Sequence, residues 1–178
     1  MFTEKWLAAS LAPRDAGDNL VVLDVSKIKE NPMGARPYWY FVKYEPDAEK
    51  ALQKLRQREF LAGRYNPVLP SLEFPIGPGS PAPGAGHASI EEAVEAAGEE
   101  GTGSILDLVH VGESGEFLIA RLLSEDDLEA AFETTRPTRA MVERLDIFDE
   151  LDRGTGVCVT VYKDGKPDEY LFAGYSVD

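Results

Sequence analysis

The C-terminal stretch Val157-Cys158-Val159-Thr160-Val161-Tyr162-Lys163-Asp164-Gly165-Lys166-Pro167-Asp168-Glu169-Tyr170-Leu171-Phe172-Ala173-Gly174-Tyr175 decides the fold class. Two β-branched and aromatic runs flank Asp-Gly, a pair that accepts the positive φ of a tight hairpin turn. Strands are therefore expected over Val157–Lys163 and Glu169–Tyr175, antiparallel to each other. Cys158 falls on one face of this alternation and reads as a small, half-buried strand residue.

The same chemistry recurs upstream in Pro37-Tyr38-Trp39-Tyr40-Phe41-Val42-Lys43-Tyr44. Alternation sends Tyr38, Tyr40, Val42 and Tyr44 to one face and Trp39, Phe41 and Lys43 to the other. Apolar residues on both faces predict an interior strand. Further strands are expected over Asn19–Val25, Ile105–Val111 and Glu116–Leu123, the last two joined by a turn at Gly112–Gly115. Asn31-Pro32-Met33-Gly34 marks a further turn.

Helices alternate with these runs. Thr3–Leu11 is a short one, with Trp6 either a docked apolar anchor or a partner contact. A longer one opens at Glu45-Pro46, with Ala48, Ala51, Leu52, Leu55 and Ala62 facing the sheet and Gly63 as its C-cap. Ser89-Ile90-Glu91-Glu92 is a capping-box signature. Ser124-Glu125-Asp126-Asp127 caps another helix through Phe132. Pro137 opens the last, with Met141, Leu145, Phe148 and Leu151 as its apolar stripe. The sum is an α+β domain over residues 1–178: a mixed or mainly antiparallel sheet of about six strands, with four or five helices packed against one face.

Charge is unevenly spread. Residues 1–70 carry 11 Lys/Arg against 9 Asp/Glu, whereas residues 71–178 carry 7 against 23, within a net charge of −14. That acidity disfavours nucleic acid and anionic membranes, which need a basic footprint. It favours a basic protein partner, with self-association as a second possibility. No apolar run reaches the ~18 residues of a membrane span, and the N-terminus lacks the regions of a secretory signal. A cytoplasmic setting is the expectation. The lone Cys158 excludes an internal disulfide and a multi-cysteine zinc site.

The site candidates gather around a loop at about 64–88, rich in Pro and Gly (Pro75-Ile76-Gly77-Pro78-Gly79-Ser80-Pro81-Ala82-Pro83-Gly84). Loops of this length are uncommon in compact domains and often functional. Its prolines lack the N–H groups of a phosphate cradle, and no Gly-Lys-Ser/Thr follows. Arg56, Arg58, Arg64, Tyr65 and Asn66 lie beside it and could receive a small anion through forked guanidinium contacts. Equally, the arginines could pair with the protein's own carboxylates or complement a helix C-terminus. His87 stands four residues before Glu91, so a base oriented by a carboxylate is conceivable. In a small-molecule reading, Arg58, Arg64, Tyr65 and His87 line a pocket beneath the loop. His110 has no neighbouring ligand in its strand. The carboxylate groups at 91–99, 125–129 and 146–152 lack the calcium-loop pattern. Asp149 with Asp152, or Asp146 with Glu150, could share a helix face and hold a hard cation. Such charge runs read first as solvated helix faces, and no metal or other cofactor is expected.

Pro37–Pro46, Arg56–Pro67 and Tyr162–Pro167 together resemble small bacterial proteins built on a domain of unknown function. The resemblance spans most of the chain and implies no activity, cofactor or catalytic residue.

Overall fold

The computed structural model describes residues 35–70, 75–144 and 151–177. The expected helix Thr3–Leu11, the strand Asn19–Val25, the turn Asn31–Gly34 and the positions Leu145, Asp146, Phe148, Asp149 and Glu150 lie outside them.

The described residues form an α+β fold around one five-stranded mixed sheet. Its strands are β1 (Pro37–Lys43), β2 (His110–Gly112), β3 (Ile119–Leu122), β4 (Gly156–Lys163) and β5 (Lys166–Tyr175), in the order β1-β5-β4-β3-β2. The Asp164-Gly165 turn behaves as its composition demands, with φ of 52° and 74° at the two residues. It pairs Cys158 with Phe172 and Val159 with Leu171. β1 then adds antiparallel to the outer side of β5, placing Trp39 opposite Ala173 and Phe41 opposite Leu171.

Among the described residues β1 stands at one end of the sheet, although its aromatic faces suggested an interior place. Both of its faces are nonetheless covered. Tyr38 and Tyr40 join one core cluster, while Trp39 and Phe41 pack against the other.

Those two clusters correct a second expectation. Helices cover both faces. α1 (Ala48–Ala62) packs Ala51, Leu52 and Leu55 against Tyr38, Tyr40, Cys158 and Phe172. α2 (Ile90–Ala97) adds Ala93 to this side. α3 (Glu125–Phe132) and α4 (Arg139–Val142) bring Leu128, Phe132 and Val142 to Val157, Val159, Leu171 and Ala173 on the opposite face. The physical reason is plain in β4 and β5: successive residues are apolar and buried, so both sides need a cover.

Caps explain the helix ends. Asp47 accepts from Lys50 N–H at 3.1 Å, so Pro46 sits just outside α1 rather than within its first turn. Gly63 closes α1 in the left-handed region at φ 73°. Ser124 and Asp127 form a full reciprocal capping box on α3. At α2 only half of the box forms, because Glu92 reaches the N–H of Ala88 instead of that of Ser89. Pro137 opens no helix directly; its carbonyl accepts from Tyr162 N–H, and α4 begins two residues later.

The 105–123 region departs furthest from expectation. Ile105–Asp107 is a 3-10 turn, not a strand, because the Asp107 side chain draws the backbone of residues 102 and 103 onto itself. β2 and β3 are parallel, not a hairpin, with His110 opposite Ile119. Parallel neighbours ordinarily need a long crossover of about a dozen residues. Here both strands are so short that residues 113–118 suffice. Leu118 makes the return in a left-handed conformation (φ 62°), its N–H on Gly154 O at 2.6 Å.

Candidate functional site

The arginines come first. α1 has an apolar face that recurs at Leu52, Leu55 and Glu59, and a carboxylate at the third of these positions is carried inside. Glu59 is fully buried. Arg58 Nε donates to its Oε1 at 2.7 Å, and Arg64 Nη1 donates to its Oε2 at 3.2 Å. The Gly63 cap turns the chain so that Arg64 N–H also reaches Glu59 O at 3.1 Å. A buried carboxylate requires such partners, since desolvation costs several kcal/mol per ion.

Arg64 also ties down the loop. Its Nε donates to Ser80 O at 3.1 Å, while Ser80 Oγ accepts from Gly77 N–H at 3.0 Å. Gly84 N–H bonds to Ala62 O at 3.0 Å, so residues 77–84 cross the end of α1 as a strap. Nearby, Tyr40 Oη lies 3.5 Å from Ile76 O.

Tyr65 and His87 form the second group. Tyr65 Oη accepts from Gly86 N–H at 3.1 Å, which leaves its own proton for His87 Nδ1 at 3.0 Å. A neutral His87 therefore carries its proton on Nε2. Glu91 is not its orienting partner; that carboxyl is held below its usual range by its own backbone N–H and by Ser89. The remaining two candidates stand apart. Asn66 donates to Gly101 O at 3.1 Å, and Arg56 donates to Gln53 Oε1 and Leu106 O at 2.9 and 3.3 Å. Burial lowers the Arg56 guanidinium, against the opposing pull of Glu91, Glu49 and Asp107. The six candidates thus divide among four local bonding sets, two of which hold the strap.

Two carboxylates of consequence escaped the sequence reading. Glu59 was legible in principle, since its spacing from Leu52 and Leu55 puts it on the buried stripe. Asp107 was not, because Ile-Leu-Asp-Leu reads as a strand. Asp107 is buried and accepts from Thr102 N–H at 2.7 Å and Gly103 N–H at 3.1 Å. Burial pushes its carboxyl up to about 6, against the lowering effect of those N–H groups. Tyr38, also buried, has its phenol raised well above the ordinary value by burial and then by Asp107. Cys158 is likewise raised by burial, which makes it an inert thiol.

A groove of about 150 Å³ opens between the end of β1 and α1. Val42, Ala51 and Leu55 form its apolar floor, and Lys43, Glu45, Lys54 and Arg58 its rim. Lys54 Nζ meets both Glu45 oxygens at 2.7 Å, and Lys43 Nζ meets Asp168 at 3.3 Å. Exposed pairs of this kind contribute about 0–1 kcal/mol and exchange readily.

The acidic residues concentrate elsewhere. Glu91, Glu92 and Glu95 on α2, with Glu99 and Glu100 in the following turn, are all exposed. Among the described residues no cation lies within ion-pair distance of Glu95, Glu99 or Glu100. No group of three or more His, Cys, Asp or Glu side chains gathers to hold a metal among them, and no described helix is long and apolar enough to cross a membrane.

Compared with family models, with curated proteins and with solved structures, the chain matches none.

Proposed function

We propose that this protein is a protein-interaction module that receives a basic partner on the acidic face of α2 and the turn after it. One observation carries the reading: five exposed carboxylates within ten residues, none of them within ion-pair distance of a cation among the described residues. Such a face raises the association rate of a cationic partner and makes binding fall with ionic strength. A cytoplasmic setting belongs to the same reading, supported by the single, buried cysteine.

The test uses a fluorescein-labelled Lys/Arg decapeptide and titrates the whole protein at low and at physiological salt. Binding is expected to weaken severalfold between the two. The charge-reversal variant Glu95→Lys/Glu99→Lys/Glu100→Lys is expected to abolish it. A matched reversal on α3, Glu125→Lys/Asp126→Lys/Glu129→Lys, is expected to retain most of it. Equal losses in both variants would reduce the effect to overall charge and overturn the assignment to α2.

A further inference from the structure

Among the described residues β2 ends the sheet, and its outer edge lies against α1 rather than against another strand. Val111 N–H donates there to Glu49 Oε2 at 2.7 Å, and Val109 O accepts from Gln53 Nε2 at 2.8 Å. We infer that Glu49 and Gln53 guard this edge, standing where a neighbouring strand would bond and barring a second copy of the chain from pairing there.

An open strand edge presents unmet N–H and C=O groups and invites pairing with another chain. In a β-ladder, the carbonyl of one residue and the N–H two residues further on face the same neighbour. Val109 O and Val111 N–H are such a pair, centred on His110, whose side chain is 66 % exposed. A neighbour must offer one donor and one acceptor at that spacing. Gln53 supplies the donor and Glu49 the acceptor, from positions i and i+4 on one face of α1.

The guard is held in place from within. Gln53 Nε2 also donates to Glu49 Oε1 at 2.7 Å, and Gln53 Oε1 accepts from Arg56 Nη1 at 2.9 Å. His110 Nδ1 lies 3.3 Å from Glu49 Oε1. Burial would raise the Glu49 carboxyl, but Val111 N–H, Gln53 and His110 together hold it below its usual range. Both carboxylate oxygens and both ends of the carboxamide are thus engaged.

The same geometry identifies what the guard excludes. An acceptor and a donor set symmetrically about His110 are complementary to themselves. In a second β2 running antiparallel across a twofold axis, each Val111 N–H would meet the other copy's Val109 O. Side chains of α1 fill both places instead.

The test is sedimentation equilibrium of the whole protein up to millimolar concentration, at salt that screens its net charge of −14. Glu49→Ala/Gln53→Ala is expected to raise the mass with concentration toward that of a dimer. Adding Val111→Pro deletes the outward N–H, a change that an edge strand tolerates, and is expected to return the double variant to the starting mass. Glu49→Gln keeps an acceptor for Val111 and is expected to behave as wild type. So is Glu129→Ala, which removes one exposed charge from α3. Glu49→Ala alone bares the same N–H and carries the expectation, in weaker form, if the double variant does not fold. The inference is overturned if the variants lacking the guard associate no more than wild type, or if Val111→Pro fails to reverse their association. Wild type that Val111→Pro by itself dissociates would overturn it too, showing the edge already open.

Discussion

Arg64 and Glu59 are joined through both side chain and backbone, by Nη1 to Oε2 at 3.2 Å and Oε1 at 3.5 Å and by backbone N–H to carbonyl at 3.1 Å. The side-chain bond holds a charge that burial would otherwise make intolerable. The backbone bond closes α1. Because Arg64 also grips Ser80, the same residue couples the helix end to the strap.

Arg64→Ala is therefore expected to destabilise the protein by about 3–5 kcal/mol, the usual result of stripping a partner from a buried ion pair. Arg64→Ala combined with Glu59→Leu, which removes the buried charge as well, is expected to recover part of that loss. Urea denaturation of the two variants reads the difference; equal stabilities would show that Arg58 alone satisfies Glu59.

Gly63→Ala places a Cβ against the carbonyl of Gly84 at a φ that L-residues avoid. The expected cost is about 2–3 kcal/mol, from strain at the cap together with displacement of the strap. Thermal unfolding is expected to shift down by about 2–4 °C per kcal/mol for a chain of this size. A change under 1 °C would contradict the close approach.

Asp107 gives a pH dependence with a definite sign. Its folded value of about 6 lies above its ordinary 3.8, so the neutral form is favoured by folding. The associated stability is fully present below about pH 4 and is lost as pH rises through 6. Its size is about 3 kcal/mol by order of magnitude. Taking the difference between wild type and Asp107→Asn cancels the other carboxylates, and that difference is expected to shrink between pH 4 and 7. A difference independent of pH would mean that Asp107 does not titrate in this range.

Tyr65→Phe removes the hydroxyl shared by Gly86 N–H and His87 Nδ1. Leaving such groups unpaired is expected to cost about 1–3 kcal/mol. Amide exchange at Gly86 is expected to accelerate before that of α1, because the bond being lost pins the loop just beyond the strap. Unaltered exchange at Gly86 would place its protection elsewhere.

Local chemistry made much of the fold legible. Asp164-Gly165 announced its hairpin, Gly63 its cap, and Ser124 with Asp127 their box, since each depends on a few adjacent residues. The two apolar faces of Tyr38–Val42 were legible for the same reason. The parallel pairing of β2 with β3 was not, because it rests on Leu118 meeting Gly154, 36 residues away. Nor was the division of α1–α2 from α3–α4 across the sheet, which no single segment encodes. The sequence placed the arginines beside the loop, and the structure bonds Arg64 to Ser80 there. The sequence left open what the arginines hold, since their partner is a glutamate whose burial depends on the sheet beneath it.

The order of the strands has a consequence for how the chain comes into being. β5 lies between β1 and β4, so Pro37 finds its partner in Tyr175, more than a hundred residues later in the sequence. During synthesis from N- to C-terminus, β1 and α1 emerge long before the strand that joins them to the sheet. Tyr38 and Tyr40 must wait through the making of more than a hundred residues for the neighbour that shelters them. The β4–β5 hairpin joins adjacent residues, whereas β1 closes a long-range contact, so the hairpin is expected to form first. More than a hundred further residues must therefore be made before β1 meets β5, an interval in which a chaperone has something to offer the aromatic strand.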